Sequence, residues 1–135
     1  MKEITKKWMA FAKADMAAAE VQFQFGEKKG SSYQIAVFHC HQAVEKMLKA
    51  SLAEQGKEIP KLHNLVRLLA LIEFSIPADS TLFVEDLNPH YLPPRYPDLG
   101  FHPKFSFTYN RKNVATIIKQ TRIIILWLEK NIQVK

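Results

Sequence analysis

Apolar side chains recur every three to four residues over most of the chain, which places them on one face of an α-helix. The clearest case is the last helix, predicted over about residues 110–132. Its apolar stripe consists of Val114, Ile117, Ile118, Thr121, Ile124, Ile125 and Leu128. No segment keeps the period-two alternation of a half-buried strand. The pattern predicts an all-α fold, an up-and-down helical bundle of four to five helices.

Four helices are predicted before this one. They cover about residues 5–27, from a Ser31–Ser32 cap to about residue 55, about residues 62–74, and from a cap at Asp79 or Ser80 to about residue 90. Gly56 is expected to end the second helix. The inward stripe of the first helix is predicted as Trp8, Phe11, Ala12, Asp15, Ala18, Ala19 and Gln22. That of the second helix is Tyr33, Ala36, Val37, Cys40, Val44, Met47, Leu48 and Ser51.

The length and composition indicate one domain over residues 1–135. A single cysteine excludes an internal disulfide, and its place on a buried stripe argues against a nucleophilic thiol. No signal peptide precedes the first helix, and the apolar run 123–128 is too short to span a bilayer. We therefore expect a cytoplasmic protein with no membrane partner. The net charge of +6 suits RNA, a nucleotide or an acidic protein, and does not choose among them.

Asp15 is the most unusual residue of the first helix, because it interrupts an apolar face. A carboxylate in such a place is costly unless it is paired. It is either part of a structural ion pair or an acidic site residue that faces a cationic partner. Arg95 is the partner that we expect.

The second helix carries His39, Gln42, Lys46 and Lys49 within one arc, opposite its apolar stripe. Such a row could bind phosphates and read bases or hydroxyls, or it could be a solvated face. Ile35 and Phe38 lie on or near the same arc. Apolar residues there suggest that a second subunit or another helix covers part of it.

The proline-rich segment between the fourth and fifth helices carries Arg95 and His102. An arginine could hold a phosphate, and a nearby histidine could move a proton. The alternatives are an arginine paired with a carboxylate and an exposed loop histidine. His63 either caps the third helix or is left available because Asn64 caps it. No histidine set has the spacing of a zinc site, so we expect neither a metal nor a cofactor.

Taken together, these residues resemble the HEPN family (higher eukaryotes and prokaryotes nucleotide-binding). Four pieces carry the resemblance: Trp8 with Ala12 and Asp15; residues 38–50, Phe-His-Cys-His-Gln-Ala-Val-Glu-Lys-Met-Leu-Lys-Ala; His63-Asn64-Leu65; and Leu87-Asn88, Tyr91 and Arg95-Tyr96-Pro97-Asp98. They span nearly the whole chain in order.

The resemblance implies a dimeric helical bundle that engages a nucleotide or RNA beside a minimal nucleotidyltransferase, often as a toxin–antitoxin pair. Active members look like metal-independent ribonucleases whose motif is an arginine, four to six residues and a histidine. Arg95 and His102 have six residues between them, although Pro97, Gly100 and Pro103 argue against a continuous helix there. Asp15, His39, Gln42, Lys46, Lys49 and Tyr96 would bind the ligand. The alternative is a non-catalytic dimeric module that docks the nucleotidyltransferase.

Overall fold

The computed structural model describes residues 1–91 and 107–133, apart from the side chain of residue 133. Within these residues it consists of helices and contains no strand. The helices are α1 (Glu3–Phe25), α2 (Ser31–Glu54), α3 (Leu65–Ala70), α4 (Ala78–Leu87), a 3-10 turn (Asn88–Tyr91) and α5 (Arg111–Gln133). The predicted all-α bundle of four to five helices is confirmed.

Helix α2 is the centre of the molecule, because α1 and α5 both pack on it. Every member of its predicted apolar stripe is buried. The predicted stripe of α5 is also buried, except that Ile117 is partly exposed. A helix covered on two sides needs apolar residues over a wide arc, which α2 supplies.

The inward face of α1 differs from the prediction, because only Ala12 and Ala19 of the predicted stripe are buried. Phe11 is 62% exposed, and the other predicted members are partly exposed, namely Trp8, Asp15, Ala18 and Gln22. The buried positions are Thr5, Met9, Ala12, Met16 and Ala19, again at spacings of three and four. Thr5 looks too polar for a core position in the sequence. It can be buried because its hydroxyl donates to Glu54 Oε1 over 2.9 Å.

The helix ends agree with the prediction at Gly56 and differ from it at several helix starts. Helix α2 begins at Ser31 with Gly30 in the N-cap position and no side-chain cap, so the predicted Ser31–Ser32 cap is wrong. Gly56 has a φ of 72°, and the Lys57 amide donates to the carbonyl of Leu52, so α2 ends in a Schellman turn as predicted. Helix α3 is shorter than predicted, because Asn64 caps it three residues later than expected. Helix α4 starts directly after Pro77, and not after a cap at Asp79 or Ser80.

Across residues 1–91 and 107–133, no helix combines the length and the apolar character that crossing a bilayer requires.

Candidate functional site

The carboxylate of Asp15 on α1 meets two side chains of α2. Lys46 Nζ donates to Asp15 Oδ2 over 2.5 Å, and His39 Nδ1 lies 2.9 Å from Oδ1. The two helices run antiparallel, so Asp15 lies opposite the stretch of α2 that contains both residues. His39 and Lys46 are seven residues apart, two helical turns, and therefore project from the same side of α2.

Asp15 is largely withdrawn from water, with a side chain that is 12% exposed. Burial alone would raise the pKa of this carboxyl, but the hydrogen bonds from His39 and Lys46 outweigh it and lower the pKa below 3.8. The carboxylate is therefore ionised at neutral pH and can only accept. His39 must then donate to Asp15 from Nδ1, and its other ring nitrogen, Nε2, is directed away from Asp15.

A second carboxylate, that of Glu45, is buried on α2, where Glu45 directly precedes Lys46. It accepts a hydrogen bond from Lys49 Nζ over 3.1 Å, and His63 Nδ1 lies 3.0 Å from its other oxygen. His41 Nδ1 is 3.9 Å from that same oxygen. Glu45 thus joins α2 to the segment that precedes α3, and it orients His63, whose side chain is 44% exposed.

Aromatic rings surround these charges. The ammonium of Lys46 is 5.7 Å from the centre of the Phe11 ring, and that of Lys49 is 5.6 Å from the Trp8 ring. The Tyr91 ring lies 5.1 Å from His41 and 5.7 Å from His63. We call the set formed by Asp15, His39, Gln42, Glu45, Lys46, Lys49 and His63 the polar site.

Two asparagines cap the start of α3, directly after His63. Asn64 Oδ1 accepts from the amide of Arg67, and Asn88 Oδ1 accepts from the amide of Leu65 over 2.7 Å. Asn88 Nδ2 also donates to Asn64 Oδ1. These bonds satisfy orphan amides at the start of α3. A capping role for His63 is therefore wrong, and its side chain is left to pair with Glu45.

The predicted ligand-binding residues of α2 fall into two groups. His39 and Lys46 are partly exposed at Asp15, whereas Gln42 and Lys49 are buried. Gln42 Nε2 lies 3.4 Å from His41 Nδ1. A plain solvated face is thus excluded for the buried pair.

The remaining predicted site residues, Arg95, Tyr96 and His102, lie outside the described residues. The pairing of Asp15 with Arg95 consequently stays a prediction, and the partners that the structure gives Asp15 are His39 and Lys46.

His90 and Tyr109 connect the two ends of the chain segment that carries Arg95 and His102. His90 Nδ1 lies 2.8 Å from the Tyr109 hydroxyl, and the Phe107 ring packs edge-on against the imidazole at 4.7 Å. Burial lowers the pKa of His90 to about 4 and raises that of Tyr109. At neutral pH both groups are uncharged, as their apolar surroundings require.

Cys40 is buried on the face of α2 that meets α5, and burial raises the pKa of its thiol to about 12. It is a thiol and not a thiolate at neutral pH. Among the described residues no three histidine, cysteine, aspartate or glutamate side chains are grouped as metal ligands would be.

The chemical capacity of the polar site is therefore anion binding and proton transfer. Its two lysines balance its two carboxylates, so protonation of a histidine or an added arginine gives it positive charge. Glu45 was not predicted as a site residue. Its spacing of four residues from Lys49 is the sequence signal that could have identified it.

Comparison with known proteins gives consistent results. The model of the HEPN domain family matches residues 5–131. The structure is similar to that of TT1696 from Thermus thermophilus, with 24% identity, a TM-score of 0.80, and coverage of 96% of this chain and 98% of that one. It is also similar to ST0689, an archaeal HEPN homologue, with 27% identity, a TM-score of 0.73, and coverage of 98% and 100%. No curated protein matches the sequence significantly.

Proposed function

Because the chain belongs to the HEPN family, we propose that it engages a nucleotide or RNA at the polar site, as one subunit of a two-component, toxin–antitoxin-like system with a nucleotidyltransferase. In this proposal residues 1–135 form a single HEPN domain that works in the cytoplasm.

The observation that carries the proposal is the pairing of Lys46 and His39 with the withdrawn carboxylate of Asp15. Taking such a carboxylate out of water has a large desolvation penalty, which a merely stable fold avoids with apolar residues. The pairing holds the Lys46 ammonium and the His39 imidazole in fixed positions. Lys46 keeps 24% of its side chain exposed, enough to contact a phosphate.

Arg95 would supply the charge that the balanced polar site lacks, and its planar fork suits phosphate oxygens. Tyr96, on the same segment, would contact a base or ribose. Gln42 and Lys49 would contact the ligand from the buried side of the polar site. Gln42 could do so only after its contact with His41 has rearranged.

Binding can be tested with a labelled single-stranded RNA by fluorescence anisotropy at several salt concentrations. We expect Lys46→Ala to weaken binding about tenfold and to reduce the salt dependence by about one phosphate contact. The matched control is Lys119→Ala, which removes an exposed lysine of α5. If the two substitutions weaken binding equally, RNA binding depends only on the net charge of the protein and not on the polar site.

Cleavage is the catalytic form of the proposal. His102 would accept the proton of a ribose 2′-hydroxyl, and the 2′-oxygen would attack phosphorus while Arg95 stabilises the phosphate charge. The bond between phosphorus and the 5′-oxygen would then break, and the 5′-oxygen would take a proton from water or from the protonated His102. The product would be a 2′,3′-cyclic phosphate. Wild type, Arg95→Ala and His102→Ala are incubated with labelled RNA and a chelator. We expect cleavage by the wild type alone, and cleavage by all three would point to a contaminant.

A second candidate is a non-catalytic, dimeric module that docks the nucleotidyltransferase. It is favoured by the apolar outer face of α1, where Ile4, Phe11, Ala18 and Phe25 recur every seven residues. Val21 lies on the same face, and Ile35 of α2 is also exposed. This face would form the homodimer.

Light scattering at micromolar concentration tests the homodimer directly. We expect a dimer for the wild type and a monomer for Val21→Glu, which places a charge on the outer face of α1. The control is Val66→Glu, because Val66 is an exposed valine on α3. A wild-type monomer would contradict the homodimer.

A further inference from the structure

A groove of about 1000 Å³ lies between α4 and α5, and none of its lining residues belongs to the polar site. Its floor is apolar and includes Leu82, Phe83, Ile117, Ile123 and Trp127. Leu82 and Ile123 are 59% and 49% exposed. Large apolar side chains left open along a concave surface are typical of a binding groove.

The rim of this groove is acidic. Asp79, Glu85 and Asp86 line it and are exposed, and none of them pairs with a cation in the described part of the chain. Residues 72–91 contain four acidic residues and no lysine or arginine, in a chain of net charge +6. Three of the four line the groove, and the fourth, Glu73, lies outside it and pairs with Lys57. The negative charge is therefore concentrated at the groove, against the trend of the rest of the molecule.

From the apolar floor and the acidic rim, we propose that this groove binds a basic amphipathic helix of a partner protein. The acidic rim repels RNA and anionic membrane surfaces, and it attracts lysine or arginine side chains. The apolar stripe of such a helix would lie on Leu82, Ile117 and Ile123 while its basic residues reach the rim.

The length of the groove fits the same occupant. Its lining residues on α5 extend from Asn113 to Trp127. At 1.5 Å per residue this is about 21 Å, the length of a helical segment of about 14 residues. The inference does not depend on the proposed RNA function, because the two surfaces share no residue.

The test uses the full chain in a Trp8→Phe background, so that Trp127 in the groove is the only tryptophan. The titrant is a helical peptide of leucine and lysine, about 16 residues long, with leucine at helical spacing. A scrambled peptide of the same composition is the second titrant. We expect the amphipathic peptide to change the Trp127 fluorescence with a micromolar Kd that rises with salt, and the scrambled peptide to bind much more weakly.

Charge variants then separate the groove from net charge. Asp79→Asn, Glu85→Gln and Asp86→Asn together should raise the Kd about tenfold. The matched control changes three exposed acids elsewhere, Glu3→Gln, Glu58→Gln and Glu73→Gln. Equal effects of the two triple variants, equal binding of both peptides, or an unchanged Trp127 signal would each overturn the proposal.

Discussion

Acidification should weaken the contact between His90 and Tyr109, which lie on either side of the segment that carries Arg95 and His102. The folded protein holds His90 neutral, with a pKa of about 4, whereas an unfolded chain has the ordinary value of 6.5. Between these values the unfolded state binds more protons, so the free energy of unfolding falls as the pH falls. Above pH 6.5 His90 has no destabilising effect. As the pH falls from 6.5 to about 4, it lowers the free energy of unfolding progressively.

The size of the effect follows from the two pKa values. Between pH 7.5 and pH 5 a single group with these values lowers the free energy of unfolding by about 2 kcal/mol. The imidazole is almost fully buried, so solvent does little to screen this loss. Asp15 titrates below this range, because its pKa is lowered, and contributes no loss there.

The assay is urea unfolding of wild type and His90→Gln at both pH values. Glutamine can still bond to the Tyr109 hydroxyl but does not titrate in this range. We expect the wild type to lose about 2 kcal/mol more than the variant on acidification. The other histidines are common to both proteins, so their contributions cancel. Equal losses would refute the reasoning and show that His90 is protonated without disrupting the fold.

Four further perturbations test the packing, a helix cap and the polar site. Gly26→Ala should lower the free energy of unfolding by about 1–3 kcal/mol in urea titrations, because the new Cβ would lie 2.1 Å from an aromatic ring carbon. Gly30→Ala has open space and helical φ, so it should be neutral or raise stability by about 0.4–1 kcal/mol. Asn88→Ala should cost about 1 kcal/mol by thermal unfolding, through the lost cap of α3. Asp15→Ala should destabilise by about 1–3 kcal/mol, and Lys46→Ala should have a smaller effect in that background than alone; additive effects would mean that the two are uncoupled.

Much of the fold could be predicted because helical periodicity is local, whereas the predicted starts of α2, α3 and α4 were less accurate. The apolar stripes of α2 and α5 follow directly from residue spacing. Gly56 indicates the end of α2, because glycine readily adopts the positive φ that the turn requires. The inward face of α1 could not be predicted fully. Thr5 is buried only because Glu54, at the C-terminal end of α2, accepts its hydrogen bond.

Most residues of the polar site could be predicted from the sequence, but which of them pair with one another could not. Asp15 stands out in the sequence as a charge on an apolar face, but its partners depend on the register between α1 and α2, which spacing within one helix does not specify. The burial of Glu45 likewise cannot be read from spacing within one helix. It depends on the approach of His63 from the segment before α3.

The helical hairpin of α1 and α2 also has a consequence for synthesis of the protein. Its bonds, from Asp15–Lys46 to Lys2–Glu54, all lie within the first 56 residues, so it can form early. The other face of α2 stays bare until α5 has been translated, roughly 4–16 s later at ordinary rates. We expect nascent chains arrested after residue 56 to be helical yet to bind a hydrophobic dye, and those that include α5 to exclude it.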